Sequence, residues 1–514
     1  MSPPVLLSTA MTSDLIFNLA GAWHIYFGHV PHVDFHEPSG WLNFALTAIG
    51  FHILGPGPFA FLINVGIVTV ILFAVSFLAA VQRLALLPAA IFIVFVCLLA
   101  LMPANVGDRP DQYTFAMSYN RYGWSAYSVL ALILFVPPRN RHGIVWIDVG
   151  VAGLLLAAMF YLKITYFAAG LAAVAFAVLF HPHVRRHWRA WLAVCTLLAA
   201  NSLAPYSLQY LSDILSWVES GAIRKGFLGQ HLKNFVAALG EYVPYLAVIV
   251  VACWMWWTKR APIRFPLTLV FLFVIALLLL SQNSQVAGLP SNVVMLLILY
   301  DQLSSHFAGV RSRDMVPLLL ALLVFPLCAA GGFAASIAGY HAKASDFRGL
   351  YFVDRGNLRE LAVPDAERGA FVSLSKAFDY PGWNTGSSVP LYQLSQYEYV
   401  LVLLEAADLL SDRPPGGIAL FDYVNPLPYM LGLPPPKGSN LWSDGNAPVR
   451  TADEYLAGVR YVLIPKFPLN PYWTADLMTH YGVYLDEHFQ REVETRSWIL
   501  LGRSQFAPMA RSRE

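Results

Sequence analysis

"GHVPHVDFHEPSGWL" fills residues 28–42, and directly after it the chain turns almost wholly apolar. Asp34 and Glu37, with His29, His32 and His36 around them, therefore stand at the edge of whatever that apolar region forms. Composition says what it forms. Of 514 residues, 57% are hydrophobic and 12% charged, with a mean hydropathy of +0.55, which is too apolar for a water-soluble globule of this length. The chain reads as a polytopic, mainly α-helical membrane protein. A net charge of +2 without any basic run leaves no footprint for a nucleic-acid partner. Cys97, Cys195, Cys253 and Cys328 all fall inside apolar segments, where cysteine is ordinarily a small buried hydrophobe. The cysteine-free tail argues neither for nor against an oxidising compartment.

A helix needs about 17 to 25 apolar residues to cross a bilayer. Ten stretches read as such segments, some of them short, near 58–82, 85–103, 123–137, 144–162, 164–180, 190–208, 241–257, 265–281, 291–305 and 315–337. The segment 41–55, "WLNFALTAIGFHILG", is shorter and reads as re-entrant or as lying along the interface. Arg83, Arg139 and Arg141, Arg185, Arg186 and Arg189, Lys259, Arg260 and Arg264, and Arg311 and Arg313 all fall in every second loop, which marks those loops as cytoplasmic. The stretches 104–122, 206–240 and 282–290, the opening loop and everything after about 338 are then external, as expected for a plasma (inner) membrane protein whose site faces the periplasm. Residues 1–12 are too few for a membrane helix and lack the features of a signal peptide, so no helix is expected ahead of the Asp34 loop.

Composition shifts again at about residue 338, because 36 of the 64 Asp, Glu, Lys and Arg residues lie beyond it. That tail reads as a water-facing α/β domain. "GGIALFDY", "VRYVLIPKF" and "SWILLGR" are buried-strand patterns, and 389–412 is a helix pattern. "FDYVNPLPYMLGLPPPKGSNLW" is a Pro-, Gly- and aromatic-rich stretch suited to a rigid connection, to an ordered loop over a membrane site or to an acceptor groove. Three units result: an external loop with a short non-spanning helix (1–57), a transmembrane helical unit (58–337) and an external α/β unit (338–514). No internal repeat or heptad pattern interrupts them.

Charged groups are scarce ahead of the tail, so each external one can be weighed. Asp34 and Glu37 at i and i+3 can face one cation or one substrate if the segment takes a helical turn; the bland reading is a solvated loop. The stretch 104–122 adds Asp108, Asp111 and Arg121, with Tyr113, Tyr119, Tyr122 and Trp124 as faces for a sugar ring or as an interfacial aromatic belt. Lys163 is either a snorkelling residue or a point charge for a lipid phosphate. Arg224, Lys225, His231 and Lys233 make either an amphipathic helix on anionic lipid head groups or part of a phosphate cleft. Gln282, Asn283 and Gln285 supply neutral hydrogen-bonding groups at an external helix end. The 29, 32, 36 histidine spacing in a proline-containing loop is poor for a closed zinc site, so these histidines read as bystanders. Phosphate-loop, His-Glu-x-x-His and Gly-x-Ser-x-Gly motifs are absent.

With those residues in view, the opening stretch and "GPGPFAFLINV" beyond the short apolar segment resemble the first external loop of the type C (GT-C) glycosyltransferase superfamily. The likeness is nearest the branch of protein O-mannosyltransferases and bacterial aminoarabinose transferases, where a Gly-x-x-Pro-x-x-Asp-Phe pattern carries the essential Asp. It covers this motif and the plan of about ten to eleven membrane segments plus an external C-terminal domain, not the detail of the tail. The resemblance implies a polyprenyl-phosphate sugar donor used on the external face with inversion, and it puts Asp34 in the place of the catalytic carboxylate. It also implies a divalent cation, Mg or Mn, as an optional cofactor, with Asp34, Glu37 and Asp111 as its candidate ligands. Two departures stand out: the missing first helix, and Asp-x-x-Glu in place of Asp-x-Glu or Asp-x-Asp.

Chemistry points the same way. Glycosyl transfer has an oxocarbenium-like transition state, and inversion needs a carboxylate to take the acceptor's proton opposite the leaving group. Lys163, Arg121, Tyr119, Arg224, Lys225, His231 and Asn283 are the candidate contacts to donor phosphate and substrate. The acceptor is a glycan, a lipid or a protein, and membrane lipids surround the site. The competing readings are a polysaccharide polymerase or ligase using a lipid-diphosphate glycan, which would carry a large Arg- and His-rich late loop, and a lipid or sugar transporter, which would carry mid-helix ionisable groups.

Overall fold

The computed structural model describes residues 5–139, 145–220, 236, 239–282, 290–306, 316–365, 394–443, 447–469 and 471–504. A short strand, β1 (Leu6–Leu7), leads into α1 (Thr12–Tyr26), α2 (Leu42–Leu54), α3 (Ala60–Val81), α4 (Leu86–Leu101), α5 (Ser118–Phe135), α6 (Val145–Leu162), α7 (Ile164–Phe180), α8 (Trp188–Ser202), α9 (Pro205–Glu219), α10 (Leu239–Trp257), α11 (Arg264–Gln282), α12 (Asn292–His306) and α13 (Val316–Ser345). The tail then forms β2 (Leu350–Phe352), β3 (Leu361–Pro364), α14 (Gln396–Ser411), β4 (Gly417–Leu420), β5 (Val459–Pro465), α15 (Pro471–His488), β6 (Phe489–Glu494) and β7 (Trp498–Arg503). A helix stands at each of the ten expected apolar stretches. Among the described residues, three of them, α3, α10 and residues 264–281 of α11, are long and apolar enough to cross a membrane, or four if the bent pair α8 and α9 is one span; α2, α4, α7 and parts of α6 and α12 are apolar but shorter. Val70, Phe73, Leu197, Val250 and Trp257 point outward from this bundle.

Two expectations are corrected here. A helix does precede the Asp34 loop: α1, whose Asp14, Asn18 and His24 keep it from reading as an apolar run. Its stability comes from packing rather than from hydropathy. The Thr12 N–H donates to Gln396 Oε1 at 2.7 Å and the Trp23 indole to the Leu433 carbonyl at 2.8 Å, both in the tail. The expected 190–208 segment is also two helices, α8 and α9, bent by 77°. Pro205 opens α9, and a proline there removes a backbone donor and clashes with the preceding turn, so the helix restarts in a new direction.

The three sequence units interlock. β1 pairs in parallel with β3 (Leu6 opposite Leu361), and β2 pairs antiparallel to β3, so the N-terminus completes a sheet of the tail. The second sheet runs β4-β5-β7-β6. In β5 and β7 alternate residues serve two cores, Tyr461, Leu463, Trp498 and Leu500 on the face toward α1 and α14, and Val462, Ile464, Ile499 and Leu501 on the face toward α15. α14 starts at a capping box in which Ser395 and Glu398 satisfy each other's backbone donors.

A buried polar network ties the helices beneath the opening loop. Thr47 donates to Asn18 (2.7 Å), Asn64 to Asn43 (2.9 Å) and Thr47 (3.0 Å), and Ser118 to Asn43 (3.1 Å), which links α1, α2, α3 and α5. The loop is seated on α6 by the Gly40 N–H, which donates to the Leu162 carbonyl at 3.1 Å. A Cβ at position 40 would fall on the Tyr161 carbonyl oxygen, and backbone cannot give way as a side chain can. Gly40→Ala is therefore expected to lower the unfolding temperature markedly and to unseat the loop, while Gly66→Ala, at an open position inside α3, does not lower it in a thermal melt of the purified protein.

Candidate active site

Residues 30–35 close into a tight turn. The Asp34 N–H donates to the Val30 carbonyl at 2.8 Å, and the Val30 N–H donates back to Asp34 Oδ2 at 2.8 Å. The His32 N–H donates to the Phe35 carbonyl at 2.7 Å, with His32 in the left-handed region at φ +62°. A side chain seldom stays there unless its surroundings hold it. The holding group is Asp213 on α9, buried, whose Oδ2 meets His32 Nδ1 at 2.8 Å and whose Oδ1 meets His36 Nδ1 at 2.9 Å. Arg450, from the C-terminal domain, donates to the same Oδ1 at 2.6 Å. The histidines are thus structural anchors on either side of Asp34, and Asp213 and Arg450 are residues the sequence reading missed.

Asp34 keeps part of its surface open and takes a second charge contact. Lys437 Nζ lies 3.0 Å from Oδ1, and the Gly438 N–H donates to the Asp34 carbonyl at 2.7 Å. Partial burial opposes ionisation, but the Val30 N–H and the Lys437 ammonium together hold the Asp34 carboxyl below the usual carboxylate range. Asp34 is ready to accept a proton throughout the neutral range only as strongly as Lys437 permits.

Glu37 is the opposite case. It is fully buried, with Oε2 accepting from the Ser39 N–H (2.9 Å) and hydroxyl (2.6 Å), and with no hydrogen-bond partner at Oε1. Burial pushes its carboxyl up to about 8 despite those bonds and the positive field of Lys163. At neutral pH it holds its proton. Lys163, between α6 and α7, sends Nζ to Asn120 Oδ1 at 3.5 Å and over the Tyr119 ring at 5.0 Å. Glu37, Lys163 and Tyr119 are therefore brought together, with Asn120 added by the structure.

The other candidates separate. Arg121 is buried and directs Nη1 to the carbonyls of Ala104 (2.9 Å) and Ala116 (3.3 Å). Tyr119 and Arg121 belong to α5 and not to a loop. Asp111 is exposed and pairs with Arg109 at 2.8 Å. Asp34, Glu37 and Asp111, named for a divalent cation, do not fit one: their partners are Lys437, Ser39 and Arg109, and no three His, Cys, Asp or Glu side chains among the described residues form a metal-binding group. Arg224, Lys225, Lys233, His231, Asn283 and Gln285 lie outside the described residues.

Asp213→Ala removes one partner from the buried His32 and His36 and the half-buried Arg450, which should cost about 3–5 kcal/mol in denaturant unfolding; an unchanged midpoint would contradict the clamp. For Glu37, the folded value lies above the unfolded one, so its contribution is complete below the ordinary carboxylate pKa and is lost as pH rises toward about 8. Thermal stability of the protein should fall across that window, and Glu37→Gln should flatten the fall.

No protein-family model matches the chain, and no curated protein matches its sequence. Among solved structures, it is similar to ArnT from Cupriavidus metallidurans in the apo state, at 13% identity over 96% of this chain and 94% of that one, with a TM-score of 0.41. It is similar in the same way, at 13% identity, the same coverage and a TM-score of 0.40, to ArnT from Cupriavidus metallidurans bound to undecaprenyl phosphate.

Proposed function

We propose that this chain is an integral-membrane glycosyltransferase that moves a sugar from a polyprenyl-phosphate donor to an acceptor on the external face, with inversion and with Asp34 as general base. The observation that carries this reading is the Asp34 carboxylate itself. It is kept ionised, partly open to solvent, and held in a turn clamped between the helical body and the C-terminal domain. A general base must be both deprotonated and fixed to within hydrogen-bond reach of its proton, and this loop supplies both conditions.

The departing phosphate is already a good leaving group and needs no strong acid. Lys163, beside Tyr119 and Asn120, offers a point charge for it. The protonated Glu37 offers a buried hydrogen-bonding oxygen to a sugar hydroxyl, a role a charged carboxylate could fill only as acceptor. Part of an apolar chain has room as well. A cavity of about 440 Å³, lined by Phe95, Tyr242, Tyr245 and Phe333 with Asp108 and Glu241 as its carboxylates, lies where α4, α10 and α13 meet. The outward apolar side chains of the bundle suit a lipid surround, with the C-terminal domain on the external side.

The direct test incubates purified protein with a panel of polyprenyl-phosphate sugars, with and without a chelator. Wild type should consume at least one donor, and Asp34→Asn should lower that rate by about 100-fold or more, the usual scale for losing a general base. Equal consumption by both forms would remove Asp34 from the chemistry.

A further inference from the structure

Lys437 reaches Asp34 from residues 433–441 of the C-terminal domain, a stretch whose backbone is fixed on both sides of it. Upstream, the Leu433 carbonyl accepts the Trp23 indole N–H at 2.8 Å, and Pro434, Pro435 and Pro436 stiffen the chain between that bond and Lys437. Downstream, the Gly438 N–H donates to the Asp34 carbonyl at 2.7 Å, the His36 N–H to the Ser439 carbonyl at 3.1 Å, and the Leu441 N–H to the His36 carbonyl at 2.7 Å. Gly438 has φ +84°, and a Cβ there would run into the Glu454 carbonyl, so the approach needs glycine. The side chain contrasts with this fixed backbone: that of Lys437 is 59% exposed, against 18% for Asp34. An ion pair this open to water is weak and readily exchanged.

We propose that Lys437 is an exchangeable counter-ion, paired with Asp34 while the site is empty and passed to the phosphate of the polyprenyl donor when that group arrives, which frees Asp34 to take the acceptor's proton. The proposal rests on the glycosyltransferase reading above. A lysine ammonium is a compact point charge that demands no particular geometry, so it can serve a carboxylate and then a phosphate oxygen. Inversion sets base and leaving group on opposite faces of the sugar. The separation of about 6.5–9.5 Å between the two carboxyl groups of inverting glycosidases gives the scale of such a spacing, and it lies within the sweep of a four-carbon stem pivoting on a fixed Cα. The phosphate gains negative charge as the sugar leaves it, so a cation that has moved there counts most in the transition state.

The test is a binding cycle on the full-length protein in lipid nanodiscs, with undecaprenyl phosphate as the probe. Lys437→Ala should weaken binding about tenfold, and Lys437→Arg should restore most of it. Asp34→Asn removes the competing carboxylate and should tighten binding several-fold, and that gain should vanish when Lys437→Ala is added. A gain of equal size in both backgrounds reports relief of simple repulsion and overturns the exchange, as does an unchanged affinity in Asp34→Asn. A wild type that binds the probe while the cycle is flat sinks the exchange alone. A wild type that binds none of it sinks the glycosyltransferase reading and the exchange together.

Discussion

The buried carboxylate of Asp213 is where three parts of the chain meet: the opening loop through His32 and His36, the helix beyond the 77° bend, and the C-terminal domain through Arg450. Desolvating a carboxylate is costly, and here both oxygens are used, one by His32 and the other by His36 with Arg450. Such a cluster contributes more to choosing one arrangement than to net stability, since an apolar replacement could hold the same volume. What it selects is the position of Asp34, two residues from each anchored histidine. The bend at Pro205 is part of the same device, because a straight continuation of α8 would carry Asp213 in another direction.

Within this frame, two carboxylates three residues apart are driven to opposite protonation states. Asp34 meets an ammonium and a backbone N–H and stays charged, whereas Glu37 is wholly cut off from water and stays neutral. Environments that differ in this way divide two carboxyl groups into one charged and one neutral at the same pH. The C-terminal domain takes part in that division, since it supplies both Arg450 to the clamp and Lys437 to Asp34. It also completes a sheet with the N-terminal strand ahead of α1, so the tail holds the chain both before α1 and at the loop itself.

The length of the apolar runs made the helical body legible: residues 58–82 and 164–180 anticipate Ala60–Val81 and Ile164–Phe180 closely. Asp34 stood out by its placement in a proline-bracketed polar loop ahead of an apolar region. α1 was not legible, because its polar residues Asp14, Asn18 and His24 interrupt the apolar run, and only the packing of α2 and the tail around them gives them a place. The roles of His32 and His36 were hidden for a similar reason. Their spacing acquires meaning only against Asp213, and that partner lies on a helix whose direction depends on a bend. Lys437 comes directly after three prolines in a stretch read simply as a rigid connection or a covering loop, and nothing local marks its partner. Long-range charge pairing leaves no periodic trace in sequence, whereas burial in helices does.

The pH profile of kcat/KM for sugar transfer from a polyprenyl-phosphate donor separates the two carboxylates most directly. With Asp34 as base, the rising limb lies below the usual carboxylate range and the rate is flat through neutral pH. A rising limb near pH 8, where Glu37 loses its proton, would contradict that assignment and give the base role to Glu37.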